Sequence, residues 1–126
     1  MEDLELLTRF WRAGGSALYL PSLTVIASVP PERMTKSYHR RWHAGHGHFY
    51  AMLRSEEMER SRAGRLFDVP AHLYKQAIKD ALRWLKHQFP GRSDDAFTYE
   101  TRLRFFAGFF RKRRADFRAR TTEAPK

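Results

Sequence analysis

Residues 30–49, PPERMTKSYHRRWHAGHGHF, hold the densest run of side chains able to do chemistry in this 126-residue sequence. The two prolines stop the apolar segment before them, and Thr35 offers a side-chain oxygen where a helix can begin. At roughly 3.6 residues per turn, Tyr38, His39, Arg41, Trp42, His43 and His46 fall within about three helical turns. Packing alone seldom asks for so many aromatic, cationic and imidazole groups together. An anionic or sugar-like ligand beside a helix would ask for them.

Arg41 and Trp42 are the sharpest pair, because a guanidinium clamps a phosphate through two parallel hydrogen bonds while an indole offers a platform to a sugar. The plain alternative is an amphipathic helix with one packed Trp and a solvated Arg. His39, His43 and His46 stand at i, i+4 and i+7, on one side of a helix. Zinc can use two His four apart, but the spacing lacks a carboxylate ligand and Gly45 and Gly47 loosen the scaffold, so no metal site is assigned. The imidazoles are expected to hydrogen-bond or to line a polar pocket. Glu2 and Asp3 open a helix, where acids favour the dipole; the functional alternative is a general base.

The elements that must position these groups follow from periodicity and punctuation. Residues 2–12 read as a short helix with Leu4, Leu7 and Trp11 on one face, ended by Gly14 and Gly15. Residues 17–20 and 23–29 read as a strand pair split by Pro21, which needs further strands to be stable. A second helix covers 35–54, and the charged stretch 55–65 continues it or forms a loop ending at Gly64. Asp68 and Pro70 mark a third helix, with Leu73, Ala77, Ala81, Leu82 and Leu85 as its apolar stripe, Ile78 alongside, and Lys75, Lys79, Arg83 and Lys86 opposite. With Trp84 flanking, that pattern also matches a helix lying in a membrane interface. Phe89, Pro90 and Gly91 stop it. Ser93 caps the last helix, Asp94 and Asp95 fill its first turn, and Tyr99, Leu103, Phe106 and Phe110 share a face with Phe105 and Phe109 beside it. After about Phe117 the chain is polar and reads as a frayed tail.

Composition bounds the partners. Twenty-four Lys and Arg against 14 acids give a net charge of +10, a field that favours nucleic acid, an acidic membrane face or phosphorylated substrates. With no cysteine, disulfides and thiolate metal sites are excluded. No apolar run reaches the length of a membrane span. A glycine-rich phosphate loop, GxSxG and Asp-x-Asp are all missing.

One ordered series of residues resembles a known family. Glu2-Asp3-Leu4-Glu5-Leu6, Arg9, Ala13-Gly14-Gly15, Leu18-Tyr19-Leu20-Pro21, Val29-Pro30-Pro31-Glu32-Arg33-Met34-Thr35, Tyr38, Arg40-Arg41-Trp42 and Gly45 look like the C-terminal half of bacterial family 2 glycosyltransferases. Leu66-Phe67-Asp68-Val69-Pro70, the helix through Trp84, and Glu100 to Phe109 resemble the helical tail of such enzymes. The resemblance implies an α+β, mostly α fold: a short N-terminal helix and strand pair at the edge of a GT-A sheet, followed by three amphipathic helices. Residues 1–34 would be the C-terminal end of the GT-A catalytic domain, 35–117 a helical acceptor-side, membrane-proximal region, and 118–126 a disordered tail.

By the same resemblance Asp3 is the catalytic base, tuned by Glu2, that deprotonates an acceptor hydroxyl for direct displacement at a nucleotide sugar. Arg41 and Trp42, with Tyr38 and His39, would hold the acceptor or the diphosphate. The divalent cation (Mg or Mn) and the nucleotide sugar belong to the family's N-terminal half, so this chain is expected to be a fragment, inactive alone, with a glycan or lipid-linked acceptor. Its expected place is cytoplasmic, at the inner face of the cytoplasmic membrane. Two departures stand out. Tyr38 replaces the Gln of the Gln-x-x-Arg-Trp found in processive members, and Ala27 stands where many relatives have a His. The competing reading is a small basic helical protein that binds nucleic acid or an acidic membrane surface.

Overall fold

The computed structural model describes residues 2–53, 64–88 and 93–123, with side chains at 5–53, 64–88 and 95–122. The elements are α1 (Glu2–Arg12), a 3-10 turn (Pro31–Met34), α2 (Lys36–Leu53), a two-stranded hairpin of β1 (Arg65–Leu66) and β2 (Val69–Pro70), α3 (Ala71–Lys86) and α4 (Ser93–Glu123). The fold class is therefore mostly α with one small antiparallel sheet, in which Arg65 pairs with Pro70 and Leu66 with Val69.

α1 ends where its glycines require. Gly14 takes φ +81°, its N–H donates to Trp11 and the N–H of Gly15 donates to Phe10, the pattern of a Schellman cap. Residues 16–29 run on with no regular secondary structure and with exposed side chains; Ile26 is 95% exposed. These are the residues the sequence reads as strands. They are apolar enough for a strand, but none of their backbone pairs into a ladder; the sheet of this fold lies instead at residues 65–70. There Phe67 and Asp68 both take positive φ (51° and 64°), as a two-residue primed hairpin turn demands.

α4 is the central element, packed by α2 and by α3. Its core members Phe106 and Phe109 join Ala51 of α2, Val69 of β2 and Leu73 of α3. Because α4 is covered on two sides, its apolar residues occupy a broad band rather than one stripe. α2 and α4 cross at their glycines. A Cβ on Gly47 would meet the Phe105 carbonyl oxygen at 1.9 Å, and one on Gly108 would meet that of Ala44 at 1.9 Å. Only a residue without a side chain permits this approach. Gly47 is thus the contact on which the helix pair closes, not a loose point in α2, and α2 runs unbroken past it to Leu53.

Two further sequence expectations are corrected. On α3 the stripe divides: Leu73 is buried and Ala77 and Ala81 are half-buried, while Ile78, Leu82 and Leu85 face out. The inward place one turn on is taken by Asp80, which is 1% exposed and meets Arg102 at 3.1 Å and Arg83 at 3.8 Å. At its far end α4 does not stop near Phe117 but continues through Glu123. Arg120 pairs there with Asp68 of the hairpin, and the Thr121 and Thr122 hydroxyls donate to the carbonyls of Phe117 and Arg118. α4 begins at Ser93 as expected, while the side chains of Ser93 and Asp94, the stop at Phe89, Pro90 and Gly91, and most of the stretch 55–65 lie outside what the structure describes.

Candidate functional site

The chemistry-bearing residues sit on α2, and Thr35 starts that helix as its type suggests. Its Oγ1 accepts from the Tyr38 N–H at 3.2 Å and donates to the Glu32 carbonyl at 3.0 Å. The 3-10 turn and α2 are thereby locked together, which fixes the direction in which the first two turns project.

From that start the side chains form an aromatic and imidazole ladder. Tyr38 meets His39 edge to face at 5.8 Å between ring centroids. Trp42 contacts His43 at 4.9 Å and His46 at 4.7 Å, and His46 continues to Tyr50 at 4.8 Å. His39 also meets Phe97 of α4 edge-on, so the ladder leans on the central helix. Trp42 remains 40% exposed. Arg41, about 100° further round the helix from its neighbour, is exposed and donates to Ser37 Oγ at 2.9 Å. The structure thus gathers Tyr38, His39 and Trp42 on one face with His43 and His46, and sets Arg41 on the adjoining face. The Glu2 and Asp3 side chains lie outside the described residues.

Sharing His43 and His46 with the ladder is an open cavity of about 340 Å³, lined also by Gln76, Arg102, Phe105 and Phe106. Burial holds both imidazoles below the ordinary histidine range; the charge of His46 and then of His39 further disfavours protonation of His43. Near neutral pH they are uncharged hydrogen-bonding groups, each offering one donor and one acceptor. With the amide of Gln76 and the guanidinium of Arg102, which Asp80 holds and compensates, they give the cavity donors for hydroxyls. Phe105 and Phe106 supply the apolar wall that a saccharide face or an acyl segment needs.

Sequence reasoning missed the pair that holds this region in place. Arg40 donates Nε to Glu100 Oε1 at 2.7 Å and an Nη to Oε2 at 2.9 Å, a bidentate clamp from α2 to α4. Arg104 approaches the same carboxylate at 3.5 Å. Hydrogen bonding to Arg40 holds the Glu100 carboxyl below its usual range, and the same bond raises Arg40. No periodicity announces a partner 60 residues away. Among the described residues no group of three or more His, Cys, Asp or Glu could hold a metal ion. Comparison with protein-family models, curated proteins and solved structures finds no match for this chain.

Proposed function

We propose that this chain is the acceptor-side part of a family 2 glycosyltransferase, moving a sugar from a nucleotide sugar to an acceptor hydroxyl at the inner face of the cytoplasmic membrane. The supporting observation is the half-exposed Trp42 ladder adjoining a cavity with uncharged imidazoles, an amide and one guanidinium. Indole and phenyl faces pack on sugar rings, neutral imidazoles and amides bond hydroxyls, and guanidinium groups take phosphate oxygens. Asp3 would take the proton of the acceptor hydroxyl, with Glu2 keeping its carboxylate basic. Arg41, with Trp42, Tyr38 and His39, would hold the acceptor or the leaving diphosphate. The nucleotide sugar and its divalent cation would be held by a separate donor-binding half, against which the apolar residues of 16–29 would lie. On this reading the chain binds acceptors but does not turn over alone.

The test is a titration of the purified protein with saccharides, lipid-linked saccharides and nucleoside diphosphates, followed at the Trp42 indole N–H resonance. Saccharides are expected to shift that resonance, and Trp42→Ala to abolish the binding heat that calorimetry records for the wild type. No response to any of them would refute the proposal. A second reading, a basic protein on nucleic acid, is favoured by a groove of about 460 Å³ on α4 lined by Arg111, Arg114 and Arg118. Phosphate-backbone binding would show itself by a steep, sequence-independent loss of affinity with salt.

A further inference from the structure

The outer face of α3 carries three aliphatic side chains that stand mostly exposed to solvent. Ile78, Leu82 and Leu85 are 61%, 63% and 59% exposed and stand at i, i+4 and i+7, one continuous stripe along the helix. Lys75, Lys79 and Lys86 are exposed and follow in helical order along one edge of that stripe. The helix has a single acid, Asp80, and the fold turns it inward to Arg102 and Arg83. A solvated helix face would mix signs. This one presents only cations and aliphatic groups.

We propose that this face of α3 docks on an acidic lipid bilayer, lying parallel to the surface with Ile78, Leu82 and Leu85 at the headgroup–acyl boundary. The lysines would reach anionic headgroups while their methylene stems lie along the apolar stripe. Charge complementarity singles out an anionic surface, since each cation near such a surface strengthens binding roughly fivefold. The aliphatic stripe singles out lipid over nucleic acid, because Ile and Leu offer a base no stacking face and a phosphate no donor. No described helix is long and apolar enough to cross a membrane, so the contact is peripheral. The inference rests on the membrane placement proposed above and is independent of sugar transfer.

The experiment is flotation of the whole protein with phosphatidylcholine vesicles and with vesicles containing phosphatidylglycerol, using the wild type and two surface variants. The first variant is Ile78→Ser/Leu82→Ser/Leu85→Ser and the second Lys75→Gln/Lys79→Gln/Lys86→Gln, each checked for unchanged circular dichroism. Wild type is expected to float with acidic vesicles only, the first variant to bind at least about tenfold more weakly, and the second on the order of 100-fold more weakly. Because the chain has no native cysteine, a nitroxide on Leu82→Cys reports immersion directly, and loss of its accessibility to aqueous relaxants is expected on acidic vesicles. Binding that survives both variants with an aqueous label overturns the assignment to α3 and leaves the membrane placement standing. Failure of the wild type to bind acidic vesicles overturns both. Tight binding to an acidic peptide or to RNA in place of vesicles also overturns it.

Discussion

Replacing Gly47 with alanine puts a methyl group 1.9 Å from the carbonyl oxygen of Phe105. Ordinary van der Waals contact begins at 3.4 Å, so α2 and α4 must move apart by about 1.5 Å at their crossing. The atom in the way is backbone, which cannot swing aside as a side chain end can. Overpacking of this kind costs typically ~1–3 kcal/mol, and a backbone clash belongs at the upper end. Alanine in place of glycine in a helix returns about 1 kcal/mol. The expected net loss is about 2 kcal/mol, a fall in Tm on the order of 8 °C. Gly45 provides the internal control. It lies in the same helix two residues earlier and is exposed, so Gly45→Ala is expected to stabilise by up to about 1 kcal/mol. Gly108→Ala should repeat the Gly47→Ala loss from the other helix, since its Cβ would meet Ala44 in the same way. Thermal and urea unfolding of the three variants checks the set. A Gly47→Ala protein as stable as Gly45→Ala would refute the reasoning.

Other variants test the ion pairs and the imidazoles. Asp80→Leu should be close to neutral, since it leaves no buried charge uncompensated: the partners Arg83 and Arg102 are open enough to hydrate. Arg102→Ala should instead cost about 3 kcal/mol by stranding the buried carboxylate; urea midpoints with equal slopes would separate the two. Glu100 has its pKa depressed in the fold, so its contribution is present above the usual carboxylate range and disappears as pH falls through it. Glu100→Gln should flatten the acid limb of a stability–pH curve. His43 and His46 are also depressed, from 6.5; the unfolded chain then binds more protons, and stability should decline as pH drops below about 6.5. NMR titration should place both imidazole midpoints below that value, and midpoints at or above it would contradict their burial.

Much of the body was readable from residue types, and the failures share a cause. Thr35 as a cap, Gly14 and Gly15 as a stop, and the start of the third helix just after Pro70 are local choices, settled by side-chain hydrogen bonding and allowed φ. Contacts between distant residues left weaker traces. Nothing near Gly47 shows that it meets Phe105, so a glycine in a helix reads as weakness when it is a crossing point. Asp80 occupies an inward position because Arg102 compensates it, while Leu82 and Leu85 face out despite the hydropathy that suggests a core. The turn residues Phe67 and Asp68 are not the Asn and Gly that announce a primed hairpin, so the small sheet was invisible. Aromatic packing of Phe67 against Phe117 and the Arg114 guanidinium over its ring help hold a backbone conformation the sequence alone disfavours. Within the site, the one-sided imidazole row was legible from its spacing. The bidentate Arg40–Glu100 clamp and the cavity on α4 were not.

On the proposed function, the acid at position 3 and the arginine–tryptophan pair of α2 serve one acceptor. The absence of cysteine allows a single nitroxide to be placed at Asp3→Cys, and its paramagnetic broadening of the Trp42 indole resonance to be measured with a saccharide bound. Strong broadening of the Trp42 resonance is expected, reversed when the label is reduced. An indole resonance left sharp at position 42, with saccharide present and the label intact, would contradict it.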